Sequence, residues 1–203
     1  MSHWKTDIRQ MARELSRAPQ IRPEEIPDLD IYMDQLTTYL DKRLGFYNRE
    51  AEAPFITRSM VNNYSKAKLL PPPVSKRYSR VHIMALSLIC QLKRLFTIQD
   101  LGRLLDPAAG EAETETLYRL FLDTQREVFA ETPEAADALL AELEEEAEDG
   151  ARREKAALVA QLAVRAQRDL LLAERILDTM ETEAERERRE KKQKKQRGEA
   201  APG

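Results

Sequence analysis

The stretch VNNYSKAKLL, residues 61–70, sets two asparagine amides beside two lysines. An asparagine amide offers a donor and an acceptor side by side. That pair matches the hydrogen-bonding edge of adenine in the major groove of duplex DNA. Lysine and arginine suit the phosphates that fix a protein's register on the duplex. The candidate contact set around this stretch is Arg58, Ser59, Asn62, Asn63, Tyr64, Lys66 and Lys68, followed by Lys76, Arg77, Tyr78 and Arg80. Asn62 and Asn63 are the candidate base readers. The lysines and arginines are the candidate phosphate contacts. Tyr64 and Tyr78 also suit core or hinge positions.

The charge distribution supports a polyanionic partner. Residues 55–105 hold nine basic residues and one acid, Asp100, so this segment carries +8 in a chain whose net charge is −3. A sequence pI near 5.7 hides that basic module. Such asymmetry is the electrostatic footprint of a nucleic-acid surface. No enzymatic constellation stands beside it. Two histidines and one cysteine, widely separated, make no zinc set and no nucleophile–base pair. We expect no enzyme activity, no metal and no cofactor.

The elements that must position these residues are helical. Apolar residues make up 42% and charged residues 34% of 203, with six glycines, which suits long solvated helices more than tight β-turns. Ile8, Met11, Ala12 and Leu15 give residues 6–17 helical spacing, and a proline-rich link runs over 19–27. Residues 30–44 form a second helix ending near Gly45. Thr57 caps the contact helix, over 57–67, through its hydroxyl, and Pro71-Pro72-Pro73 stops it. A short wing over 74–78 follows. Ser79 caps a largely apolar helix over 79–95, and Thr97 with Asp100 opens another as a capping box.

Beyond Pro107 the texture changes. Leu117, Leu120, Phe121, Thr124 and Val128 share one helical face, and Thr132-Pro133 starts a further helix. Residues 142–149 are strongly acidic and read as a solvated face. Residues 151–195 lack glycine and proline. There Val159, Leu162, Ala166, Ala173, Ile176 and Met180 approximate a heptad seam, interrupted by Asp169. That helix either completes the monomer core or forms a dimerisation coiled coil. Four parts result: an N-terminal helix and linker (1–27), a winged helix-turn-helix (28–106), a helical C-terminal region (111–195) and a disordered tail (196–203). The polar N-terminus MSHWKTDIRQ and the single Cys90 imply a soluble cytoplasmic protein with no membrane span and no internal disulfide.

The order of features in VNNYSKAKLLPPP…KRYSRVHIMALSLICQLKRLFTIQDLGRLL resembles the winged helix-turn-helix of the MerR regulator family. Tyr64, Leu69, Leu70, Pro71, Pro72, Arg77, Tyr78, Ser79, Phe96 and Thr97 fall on that pattern. Asn62-Asn63 stand where that family has Arg-Tyr, and Lys68 where it has a helix-ending glycine. IYMDQL, ITRSMVNNY and KRYS are closer still to a bacterial domain family of unknown function with a MerR-like pattern, over roughly the first half of the chain. The resemblance implies double-stranded DNA binding, transcriptional regulation and a homodimer. The expected fold class is all-α, with a MerR-like winged helix-turn-helix followed by C-terminal helices. The alternative is a helical adaptor whose basic face docks an acidic partner protein.

Overall fold

The computed structural model describes residues 3–50, 52–106, 110–143 and 150–180. The expected continuation of the last helix to 195, the tail, and most of the acidic stretch lie outside these residues. The molecule is mostly helical. In chain order it contains α1 (His3–Leu15), β1 (Ile31–Tyr32), α2 (Met33–Leu44), α3 (Arg58–Lys66), β2 (Arg77–Tyr78), α4 (Arg80–Leu92), α5 (Ile98–Leu105), α6 (Glu111–Ala130), α7 (Thr132–Ala141) and α8 (Ala151–Leu177).

α4 is the central element. Every residue from His82 to Cys90 is buried, as its apolar circumference requires. It ends at Leu92, three residues before the expected end, because the Leu95 and Phe96 amides turn back to the Leu92 carbonyl. Around it pack Leu36, Leu40 and Leu44 of α2, Val61 and Tyr64 of α3, Leu101 of α5, and Tyr118 and Leu122 of α6. A second, smaller cluster joins Trp4 of α1, Leu139 and Leu140 of α7, and Leu158 of α8.

Three sequence expectations need correction. Residues 31–32 are not the start of α2 but a strand, with Ile31 opposite Tyr78 and Tyr32 opposite Arg77 in an antiparallel pair. The Tyr32 amide then donates to Gln35 Oε1 at 2.9 Å, and the helix begins at Met33. On α6 the buried face is Thr114, Tyr118 and Leu122, whereas Leu120, Thr124 and Val128 are exposed. Tyr118 sets that phase: its hydroxyl donates to the Ile21 carbonyl at 2.7 Å inside the core, and so ties α6 to the linker. Finally, α8 buries Glu154, Leu158 and Leu177, and the heptad seam of Val159, Leu162, Ile176 and Met180 faces solvent. In a single chain, therefore, that seam does not complete the core.

Candidate nucleic-acid interface

α3 is built as expected from its caps. Thr57 Oγ1 accepts the Met60 amide at 3.2 Å, which satisfies a donor left free by the first turn. At the other end Lys68 takes a left-handed conformation (φ 59°), and the Leu69 amide reaches back to the Tyr64 carbonyl at 3.0 Å. Lys68 thus supplies, as a lysine, the turn that glycine usually makes after a helix. Val61 and Tyr64 face inward and anchor the helix. Ser59, Asn62, Asn63 and Lys66 are exposed at i, i+3, i+4 and i+7 and form one continuous outward face. The side-chain amides of Asn62 and Asn63 make no hydrogen bond among the described residues.

The wing is a tight turn. Arg77 N–H donates to the Val74 carbonyl at 2.9 Å, and Ser75 and Lys76 between them have φ of 51° and 62°. Positive φ at both central residues is the hairpin geometry that matches strand twist. It places Lys76 at the tip. Arg77 follows on β2, its guanidinium over the Tyr32 ring at 5.2 Å and donating to the Tyr32 hydroxyl at 3.2 Å.

Burial divides the eleven candidates. Arg58, Ser59, Asn62, Asn63, Lys66, Lys68, Lys76 and Arg77 are exposed, and Arg80 is half-buried. Tyr64 and Tyr78 are buried in the main core, and burial pushes the Tyr64 phenol up to about 12. Their reading as contact residues is therefore corrected to packing: each ring pins its element from behind. Folding also redistributes the charge. Arg58 pairs with Asp34, Arg80 with Asp28 at 3.2 Å, and Arg103 with Asp178 at 3.3 Å. Lys66, Lys68 and Lys76 have no ion pair among the described residues. Arg77, Lys93 and Arg94 likewise have no ion pair among the described residues, so the uncompensated cations of this segment stand at the end of α3, on the wing and just after α4. Exposed pairs such as Arg58–Asp34 contribute little to stability, so exchange of Asp34 for a phosphate costs little.

His82 links these two parts, and the sequence showed no sign of it. It is buried on α4. Its Nδ1 accepts the Ser79 amide at 3.1 Å, which leaves Nε2–H to donate to the Pro71 carbonyl at 3.0 Å. Ser79 thus sits at the N-cap position, but the ring of His82, rather than the serine hydroxyl, caps its backbone N–H. The imidazole clamps the proline bridge behind α3 to the base of the wing. Burial pulls His82 below its ordinary 6.5, against the opposing pull of the Pro71 carbonyl and Asp30. The unfolded chain then binds the proton more readily than the folded one. His82's contribution to stability is full above pH 6.5 and falls as pH drops below it. Urea unfolding followed from pH 7.5 to 5 should show this loss, and His82→Asn should flatten that part of the profile.

Burial pushes the Cys90 thiol up to about 12, so it stays protonated at neutral pH. Among the described residues no group of three His, Cys, Asp or Glu side chains is placed to hold a metal ion, and no helix is long and apolar enough to cross a membrane.

Residues 21–121, just under half of the chain, match the family model described as domain of unknown function (DUF1836). The match begins at the buried Ile21 and ends within α6, so it takes in β1, α2, α3, the wing, α4 and α5. The resemblance of this part to a domain family of unknown function therefore holds. α1, α7 and α8 lie outside the match. No curated protein matches the chain, and no solved structure does.

Proposed function

We propose that this chain is a sequence-specific double-stranded DNA-binding transcriptional regulator of the MerR-like type, acting in the cytoplasm. α3 enters the major groove, and the wing over 74–78 lies on the backbone. The observation that carries this reading is the outward face of α3. Ser59, Asn62, Asn63 and Lys66 are exposed together on a helix whose opposite face is locked in the core. With side chains an α-helix is about 10–12 Å across, which fits a major groove about 12 Å wide. The β1–α2–α3–wing–α4 order agrees with the winged helix-turn-helix resemblance.

A homodimer through the C-terminal helices belongs to the same reading. The exposed apolar residues Val159, Leu162 and Ile176 of α8, with Met180 just past its end, support it. A two-fold pair of α3 helices would read half-sites about 34 Å apart.

Asn62→Ala and Asn63→Ala test the assignment of base reading. Each should relax sequence preference at its own position by about 1–3 kcal/mol while leaving binding to random duplex unchanged. Competition between a selected site and single-base variants measures this. An unaltered preference in both variants would remove the asparagines from base reading.

A further inference from the structure

β1 and the wing lay Tyr32, Arg77 and Val74 in one row. Tyr32 stands opposite Arg77 in the β1–β2 pair, and Val74 is bridged to Arg77 across the turn of the wing. Residues directly opposite in an antiparallel ladder point to the same face. Tyr32 and Val74 are 51% and 73% exposed, and Arg77 between them is exposed too. The row therefore faces solvent, while Ile31 and Tyr78 turn the other way and pack in the core.

Tyr32 is held from both sides. Strand pairing fixes it against β2, and its amide bond to Gln35 fixes it to the first turn of α2. Its ring then lies under the Arg77 guanidinium at 5.2 Å, and its hydroxyl accepts from Arg77 Nη2 at 3.2 Å. An arginine on an exposed strand loses rotamer freedom when it meets a ligand, and stacking on the phenol removes part of that freedom in advance. The phenol keeps its own O–H to give, and the guanidinium keeps further N–H groups. Among the described residues no other side chain takes either. Unused donors from both side chains thus stand side by side on the wing. Of the acids near Tyr32 in sequence, Asp34 pairs with Arg58, and Asp30 exerts its charge on His82.

We propose that Tyr32 is a further DNA-contact residue: its ring positions Arg77, and its hydroxyl donates to the phosphate that Arg77 neutralises. Tyrosine hydroxyls and arginines both serve as phosphate donors, and a bond to an ionised acceptor is stronger than a neutral one. The inference rests on the DNA-binding reading and adds to it a residue of β1, outside α3 and the wing.

Duplex titrations of the full-length protein over a range of salt concentrations test it. Tyr32→Ala should lower the slope of log affinity against log salt by about 1, as loss of the Arg77 phosphate contact does, although it removes no charge. Tyr32→Phe keeps the ring under the guanidinium. It should hold the wild-type slope and bind about fivefold more weakly, because only the hydroxyl bond is lost. In an Arg77→Gln background, Tyr32→Ala should leave the slope unchanged. A tyrosine that served the fold alone would move the melting temperature and not the slope. Circular dichroism checks that each variant is folded at the titration temperature. Lys66→Gln is titrated alongside. A slope that falls in Lys66→Gln but not in Tyr32→Ala would overturn this proposal alone, and a slope that falls in neither would overturn the DNA-binding reading with it. Equal affinities of Tyr32→Phe and wild type would overturn the part given to the hydroxyl.

Discussion

Replacing Lys66 and Lys76 together by glutamine is expected to weaken binding to any duplex on the order of 30-fold at about 0.15 M salt, whatever its sequence. Each ammonium that neutralises a phosphate releases counterion and is worth roughly fivefold at that salt. The same pair should lower the slope of log affinity against log salt by about 2. These two lysines are chosen because the fold leaves them without ion pairs, one at the end of α3 and the other at the wing tip. Arg58 and Arg80 are already held by Asp34 and Asp28, so their replacement should have smaller effects. Titrations of a labelled duplex at four salt concentrations measure both quantities. An unchanged slope would mean that neither side chain meets a phosphate.

Leu86→Ala is expected to cost about 2–5 kcal/mol of folding stability. Leu86 is fully buried at the centre of α4, the helix on which α2, α3, α5 and α6 all pack. The loss combines the removed methyl groups with the cavity left behind, and a site enclosed by several helices collapses poorly. Leu95→Ala is the control. Leu95 is 50% exposed in the turn after α4, and its loss should cost about 0.5 kcal/mol or less. Urea unfolding with an unchanged m-value measures both. Because α4 backs α3, the Leu86 variant should also lose DNA binding in proportion to its unfolded fraction.

The parts of the fold legible in the sequence were those decided by a few adjacent residues. Thr57 capping α3 and the Thr97–Asp100 capping box both depend on chemistry within four residues, whereas α3 ends at Lys66, ahead of Pro71, through the left-handed turn at Lys68. The outward face of α3 was legible for the same reason, since Val61 and Tyr64 mark its inner side.

What escaped depends on partners far along the chain. Strand Ile31–Tyr32 exists because the wing returns to pair with it. The phase of α6 is set by Tyr118 reaching Ile21, 97 residues away, and no helical period encodes that bond. His82 read as an ordinary helix residue because its partner is a carbonyl in the proline bridge. The exposed seam of α8 shows the converse: its apolar spacing was visible, but the side that packs was decided by Leu158 and Leu177.

The central claim is that the α3 face reads duplex DNA. The most direct test is selection of bound duplexes from a random library by the full-length protein at near-physiological salt. The account predicts a reproducible, roughly palindromic motif that loses definition in Asn62→Ala and Asn63→Ala. No enrichment above background, with the protein folded, would contradict it and favour the docking of an acidic protein on the same basic face.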